Sequence, residues 1–431
     1  MNKWSFFILL LVAYLPFQMA LNLSPDIDLL SGRVLILGFF GLWLLRQVSR
    51  GPKRLFSLFA ASRSAWGLAA FFIISAASIL AAVNHIWGLR KLLVFVSVFP
   101  LYFLIQALIK NDENRGKLLY VVIGGAAVSA GIALAQFLSQ FIFGLDAVMN
   151  FWAAHVVPLF SGATFGNLVA SNPSWLVNVG GQTTMRAIGL FPDPHMLAFY
   201  LGLTAPFSFT LFLLEKRYRF LLFIVNCLLL TVLLLTFSRG GYLGLLAALA
   251  IIGVGGWRRF SRAAKKFFGS GLLLAAVIFL LVGWPVITRL TSSFDLSEGS
   301  NLGRLAIWRE SWAIIKSSPM IGVGLGNYPA AADFSGAYRS AVTSHNLYLD
   351  IWAETGILGL AAWLALVFSA AKAAYRRLAR DRAVSLAALA SLAYFSVHAF
   401  FETPIFNPTV LAFLMIVLAL PSVMDIKKDV L

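Results

Sequence analysis

Long apolar runs separated by short basic stretches alternate along the whole chain. A helix needs about 20 mostly apolar residues to cross the hydrocarbon core of a bilayer. The pattern predicts about twelve transmembrane helices, at 5–21, 33–45, 65–83, 92–109, 118–143, 196–214, 220–237, 242–257, 270–287, 355–371, 383–400 and 406–421. Pro16, Pro100, Pro206 and Pro285 fall inside or at the ends of these runs. Neighbouring helices satisfy the carbonyls that such prolines free, so they do not exclude the spans. The first run, Phe6 to Leu15 after Lys3, has the look of a signal peptide. No small-x-small cleavage site follows, and Pro16 and Gln18 interrupt the usual ending, so it reads as an uncleaved first span. The expected fold is therefore all-α integral membrane, with residues 1–431 forming a single polytopic domain. No internal repeat or low-complexity tract is apparent.

Two segments between spans are long, 144–195 and 288–354. The second is mostly polar and holds a helical pattern, LGRLAIWRESWAIIK, with apolar residues at Leu305, Ile307, Trp308, Trp312, Ile314 and Ile315. A turn-rich piece, SSPMIGVGLGNYPA, follows it. This makes 288–354 a large, partly helical loop between spans nine and ten.

Composition agrees with the pattern: 60% of the 431 residues are hydrophobic and only 12% are charged, where a soluble domain carries about 25%. The net charge of +17 raises nucleic acid as a partner. Its distribution argues against one, because the basic residues come in short clusters between apolar segments and not along one soluble face. The same clusters decide orientation, since cytoplasmic loops are enriched in Lys and Arg. With the N-terminus in the cytoplasm, the inside segments hold 24 of the 34 basic residues and six of the 17 acids, a net of +18. The outer segments hold ten and eleven, a net of −1. One wrong span would have inverted every later cluster. Both termini are thus expected in the cytoplasm, and 144–195 and 288–354 on the outer face. The single cysteine, Cys227, lies in an apolar run, offers no internal disulfide and no zinc spacing, and reads as an inert thiol.

Ten basic residues lie outside against this bias, and three have telling contexts. Arg239 follows LLLTVLLLTFS and precedes GGYLGLLAALA, at the outer junction of two spans with a tight two-glycine turn. An arginine deep in the membrane costs about 2.5–3.5 kcal/mol, less near the interface. Either an anionic ligand offsets that cost or an acid or lipid headgroup does. Arg186 stands just before the sixth span in TMRAIGLFPDPHMLAFYLG, where Pro192 and Pro194 stiffen the chain and Asp193 caps the next helix. His195 there reads as a base, a cap contact or a solvated loop histidine, and the last two fit its context better. Arg304 opens the helix of the large loop, where a helix N-terminus plus a guanidinium suits a diphosphate. A solvated loop arginine fits equally.

His345 begins SHNLYLDIWAETGILGL, with Asp350 and Glu354 adding a local acidic face. A histidine there suits general-base work, since its ordinary pKa is about 6.5. A structural histidine is the alternative. His85, His155 and His398 have weaker contexts, although His398 with Glu402 and Pro404 marks the outer end of span eleven. No Walker loop or GxSxG motif occurs, and no metal is expected. GVGLGNY lacks the lysine and the strand of a phosphate loop and reads as a tight turn.

The segments RAIGLFPDPHMLA, TFSRGGYLGLLAA, GRLAIWRESWAIIKSSPMIGVGLGNY and SHNLYLDIWAETGILGL together span 186–360. In this order, with a large outer loop between spans nine and ten, they resemble the O-antigen ligase and polysaccharide polymerase superfamily. PDPH departs from the family's common Pro-Asn and leaves His195 without a family role. The resemblance implies a GT-C-like fold in the bacterial inner membrane and an active site on the periplasmic side. It implies transfer of a glycan from an undecaprenyl-diphosphate carrier to an acceptor hydroxyl, without metal or cofactor. The acceptor is then a lipid such as lipid A-core, a growing glycan (a polymerase), or a protein (an O-oligosaccharyltransferase). Carried over residue by residue, Arg239 and Arg304 grip the diphosphate, Arg186 contacts donor or acceptor, and His345 deprotonates the hydroxyl. A transporter or flippase is the rival from another class. Transporters keep ionisable groups near the midplane, whereas runs such as LLFIVNCLLLTVLLL hold almost none.

Overall fold

The computed structural model describes residues 3–24, 27–49, 62–163, 173–179, 181–215, 218–257, 262, 265–266, 269, 299–332 and 343–422. Its helices, in chain order, are α1 (Lys3–Tyr14), α2 (Ser31–Val48), α3 (Arg63–Ser78), α4 (His85–Val98), α5 (Pro100–Leu108), α6 (Asp112–Phe143), α7 (Leu145–Phe151), α8 (Val157–Ser161), α9 (Pro194–Leu214) and α10 (Arg219–Leu235). After these come α11 (Arg239–Gly256), α12 (Gly299–Ser317), α13 (Tyr328–Ala332), α14 (Leu347–Arg377), α15 (Arg382–His398) and α16 (Pro408–Ala419). Two short antiparallel hairpins complete the described residues, β1 (Ala20–Ser24) with β2 (Ile27–Leu30) and β3 (Leu176–Val179) with β4 (Gln182–Met185).

Every expected span except 270–287 coincides with a helix, and 270–287 lies outside the described residues. Among the described residues, seven helical stretches are long and apolar enough to cross a membrane: Ser31–Val48, Arg63–Ala81, His85–Leu108, Asp112–Phe143, Pro194–Leu214, Arg239–Gly256 and Leu347–Arg377. Lys3–Phe17, Arg219–Leu235 and Pro408–Ala419 are apolar but shorter. The chain is a helical membrane protein. α9 and α16 are buried on nearly every side, as expected of central helices that are apolar all round. Leu42, Leu45, Val128, Phe220, Val254 and Phe368 stay exposed on the surrounding helices and form an apolar outer surface.

Two local features position the site. α11 packs on α15 through glycines, and a Cβ on Gly240 would stand 2.6 Å from His398 Cδ2. The two glycines after Arg239 were expected to form a turn. They lie instead in the first helical turn, where their lack of a side chain lets the helices approach closely. The second feature is a kink in α14 at Gly356 (φ 70°). A kink frees helix carbonyls, and here loop 318–327 satisfies them. Val323 N–H donates to Ala353 O at 2.8 Å, and Gly324 N–H to Glu354 O at 3.0 Å. Gly322 lets this loop lie against α14 at Glu354, while Gly324 and Gly326 let it approach Ala82 and Trp87. α14 also starts eight residues before the expected span, because its first turns carry polar residues that are satisfied internally.

Beyond the kink, the part of α14 from Ile357 to Arg377 extends about 32 Å, so Arg377 lies far from the corner that carries His345. At its C-terminal end Arg377 lies near Arg115 of α6, and Arg115 Nε stands 3.7 Å from Asp381 Oδ2. Two basic residues counted as inside, Arg115 and Arg377, thus lie together at the end of α14 away from His345.

Candidate active site

Three separate stretches bring polar groups together around Glu402. His345 precedes α14, whose N-cap is Asn346; the Asn346 side chain accepts from Tyr348 N–H at 3.0 Å and Leu349 N–H at 3.2 Å. His345 itself has φ 49°, a left-handed conformation that costs a non-glycine residue energy. Asp350 holds this corner. Its carboxylate accepts from Ser344 N–H at 2.9 Å and from the Thr403 hydroxyl. Leu347 N–H donates to Ala399 O at 2.9 Å. These bonds pin the loop after α15 to the corner before α14, so Glu402 Oε2 lies 3.0 Å from His345 Nδ1. Trp308 Nε1 donates to Ser344 O at 3.0 Å, which ties α12 to the same corner. Arg304 Nη2 then reaches within 3.7 Å of Glu402 Oε1.

The acidic face expected at Asp350 and Glu354 is not solvated. Both are buried with separate partners. Asp350 makes the tie just described, and Glu354 pairs with Lys91 at 2.6 Å. Arg304 also differs from expectation. α12 begins at Gly299, so Arg304 lies in the second turn of the helix and the N-terminal amides are not beside it.

The remaining groups come from α9 and α11. Asp193 caps α9, accepting from His195 N–H at 2.8 Å and Met196 N–H at 3.0 Å. Burial, its main perturbation, pushes the Asp193 carboxyl up to about 6. Of the three readings of His195 (base, cap contact or solvated loop histidine), the solvated one does not hold, because its ring enters the site. His195 Nε2 is 3.7 Å from Glu402 Oε1, and Nδ1 is 3.0 Å from Ser238 Oγ. Ser238 caps α11 and leads directly into Arg239, which is buried. Arg186 is buried behind this corner, with Nε donating to Thr236 O at 2.6 Å and Nη1 to Ser174 O at 2.8 Å. Gln140 of α6 holds the strand leading to it, accepting from Met185 N–H at 2.7 Å.

The electrostatics follow from this geometry. Burial alone would raise the Glu402 carboxyl, but His195, His345 and Arg304 outweigh it and hold the group well below its ordinary range. Glu402 therefore stays ionised. Its charge and hydrogen bond in turn raise His345, against burial and Arg304. With Nδ1 turned to Glu402, His345 presents Nε2 as its second nitrogen, on a side chain 36% exposed. A carboxylate-held imidazole beside the Arg304 guanidinium suits proton removal from a hydroxyl next to an anion. Glu402, Ser238 and His398 went unassigned in the sequence reading. The one signal available was the His398–Glu402–Pro404 cluster at a span end. Among the described residues, no three His, Cys, Asp or Glu side chains are grouped to hold a metal ion.

No curated protein matches the chain. Residues 222–364 match a family model, Wzy_C: O-Antigen ligase. That stretch holds Ser238, Arg239, Arg304, His345 and Asp350, and stops short of His398 and Glu402. Over residues 222–364 the chain is thus similar to the O-antigen ligase family.

Proposed function

We propose that this protein transfers a glycan from an undecaprenyl-diphosphate carrier to an acceptor hydroxyl on the outer, periplasmic face of the bacterial inner membrane. His345 Nε2 takes the hydroxyl proton. The acceptor oxygen bonds to the anomeric carbon with inversion, and the bond from that carbon to the diphosphate oxygen breaks with its electron pair. Arg239 and Arg304 neutralise the charge that grows on the diphosphate, and need no change of protonation state to do so. Arg186 adds a third positive charge from behind and braces the corner that carries Arg239. Glu402 holds the His345 proton on Nδ1 and stabilises the imidazolium.

The observation that carries this reading is the 3.0 Å contact between His345 and an ionised Glu402, with Arg304 3.7 Å from the same carboxylate. The outward placement rests on two basic residues counted as inside, Arg115 and Arg377, at the end of α14 away from His345. The decisive experiment is transfer by a purified His345→Ala variant supplied with an undecaprenyl-diphosphate glycan. The expected result is loss of turnover in a monodisperse, correctly inserted protein. Near wild-type turnover would refute His345 as the base. Providing a lipid, a glycan or a protein hydroxyl separately would distinguish ligase, polymerase and protein transferase.

A further inference from the structure

Glu402 meets two imidazoles, and the reaction proposed above uses one. His345 faces Oε2, while His195 and Arg304 face Oε1, each at 3.7 Å. Behind His195, Ser238 Oγ lies 3.0 Å from His195 Nδ1 and 3.0 Å from His398 Nε2, and accepts Gly241 N–H at 3.2 Å.

Hydrogen-bond bookkeeping fixes where the protons sit. A hydroxyl has one proton and two lone pairs. One lone pair of Ser238 serves Gly241, so the hydroxyl donates to one imidazole and accepts from the other. His398 decides which. It is fully buried and stacked on Phe199, with ring centroids 3.7 Å apart. Its Nδ1 has no hydrogen-bond partner. An orphaned buried N–H is rarer than an orphaned acceptor, so the proton of His398 sits on Nε2 and is donated to Ser238. Ser238 then donates to His195 Nδ1, and the His195 proton sits on Nε2, on the side of Glu402.

We infer that His195 is a positioning residue for the base: held in its Nε2–H tautomer by His398 and Ser238, it shares the charge of Glu402 and limits how tightly that carboxylate holds a proton on His345. This inference rests on the reading of His345 as base. At 3.7 Å the His195 N–H is too far from Glu402 to hydrogen-bond and acts on the carboxylate as a dipole aimed at its charge; a carboxylate relieved of that dipole is a stronger partner for His345. Glu402, Arg304 and Asp350 are the charged groups around His345. Glu402, Arg186, Arg304 and His398 surround His195. Arg239 follows Ser238 directly and is buried at the same helix start.

The test compares His195→Phe, His195→Asn, His195→Gln and Ser238→Ala in the full-length purified protein. Diethylpyrocarbonate modifies neutral imidazole, so its reaction at His345, located by peptide mass spectrometry across pH, reports the His345 midpoint without turnover. Glutamine places an amide N–H where Nε2 stood and should keep the wild-type midpoint. Asparagine reaches Ser238 but not Glu402, and phenylalanine reaches neither. Both should move the midpoint upward, and Ser238→Ala should move it the same way by less. The acidic limb of the pH–rate profile should follow. A midpoint that all the variants leave in place, or a glutamine variant that shifts like phenylalanine, overturns the inference. If the phenylalanine variant fails to fold, the glutamine–asparagine comparison decides alone. Full turnover by His345→Ala overturns the base reading and the role of His195 with it, whatever the midpoint does; an unmoved midpoint overturns the inference alone.

Discussion

Replacing Glu402 with Gln keeps the length and shape of the side chain and removes its charge. In the wild type, Glu402 Oε2 stands 3.0 Å from His345 Nδ1. A hydrogen bond to a charged group contributes about 1.5–3 kcal/mol. The His345 side chain is 36% exposed, so water screens part of the interaction and the lower end, ~1.5 kcal/mol, applies. That interaction is strongest in the transition state, where the imidazole becomes an imidazolium. Its loss should lower plateau kcat by roughly tenfold. The pH profile gives a second, independent sign. Glu402 is the main reason that His345 titrates above its ordinary range, and burial and Arg304 oppose it. Without the carboxylate the His345 pKa falls, so the acidic limb of the rate profile moves to lower pH. The deficit relative to wild type should therefore shrink as pH drops through the wild-type limb. The assay is transfer from a lipid-diphosphate glycan over the acid and neutral range. A limb that stays put or moves upward, or an unchanged plateau, would refute the carboxylate–imidazole pairing.

Three further outcomes follow from the geometry. Arg239→Ala and Arg304→Ala should each slow turnover about ten- to over a hundredfold. Because they would act on one diphosphate, the double variant should lose less than the product of the single losses, and Arg239→Lys should rescue in part; multiplicative losses would argue for separate ligands. Lys91→Met should destabilise the protein by ~3–5 kcal/mol, since it strands the buried Glu354 carboxylate. Thermal unfolding in detergent should show the loss and its partial recovery in Lys91→Met, Glu354→Gln. In a Cys227→Ser background, a membrane-impermeant thiol reagent added outside should label Ser317→Cys and spare Arg380→Cys; the reverse would put the site in the cytoplasm.

The helical layout was legible because hydropathy and charge are local. A run such as LLFIVNCLLLTVLLL can hardly do anything but sit in a membrane. The boundaries were less legible where helices carry internally satisfied polar groups. The first turns of α14 contain Asp350 and Glu354, and Ser344, Thr403, Tyr328 and Lys91, brought in from elsewhere, make them compatible with burial. The same limit applied to the site. Arg239, Arg304 and His345 stand in recognisable segments, but their mutual placement depends on pairs separated by many residues. His345 and Glu402 are 57 positions apart, and Ser238 and His398 are 160 apart. Nothing local in TSH, TFS or FFE announces such a meeting. His195 was misjudged for the same reason. Its neighbours Asp193 and Pro194 account for a helix cap, and only the packing of α11 against α15 shows what the ring itself faces.

The site joins two portions of the chain. Arg239, Arg304 and His345 lie within residues 222–364, which match the ligase family model. Glu402 and His398 follow that stretch, and His195 and Arg186 precede it. What connects them is close helix packing: Gly240 gives α11 room beside His398, and Tyr394 donates to Ala198 O at 2.8 Å, fastening α15 to α9. A Cβ at Gly240 would press on His398 and on Phe401, the residue before Glu402. The groups proposed to grip the diphosphate, Arg239 and Arg304, lie in the matched stretch, whereas Glu402 and His195, proposed to set the strength of the base, lie on either side of it.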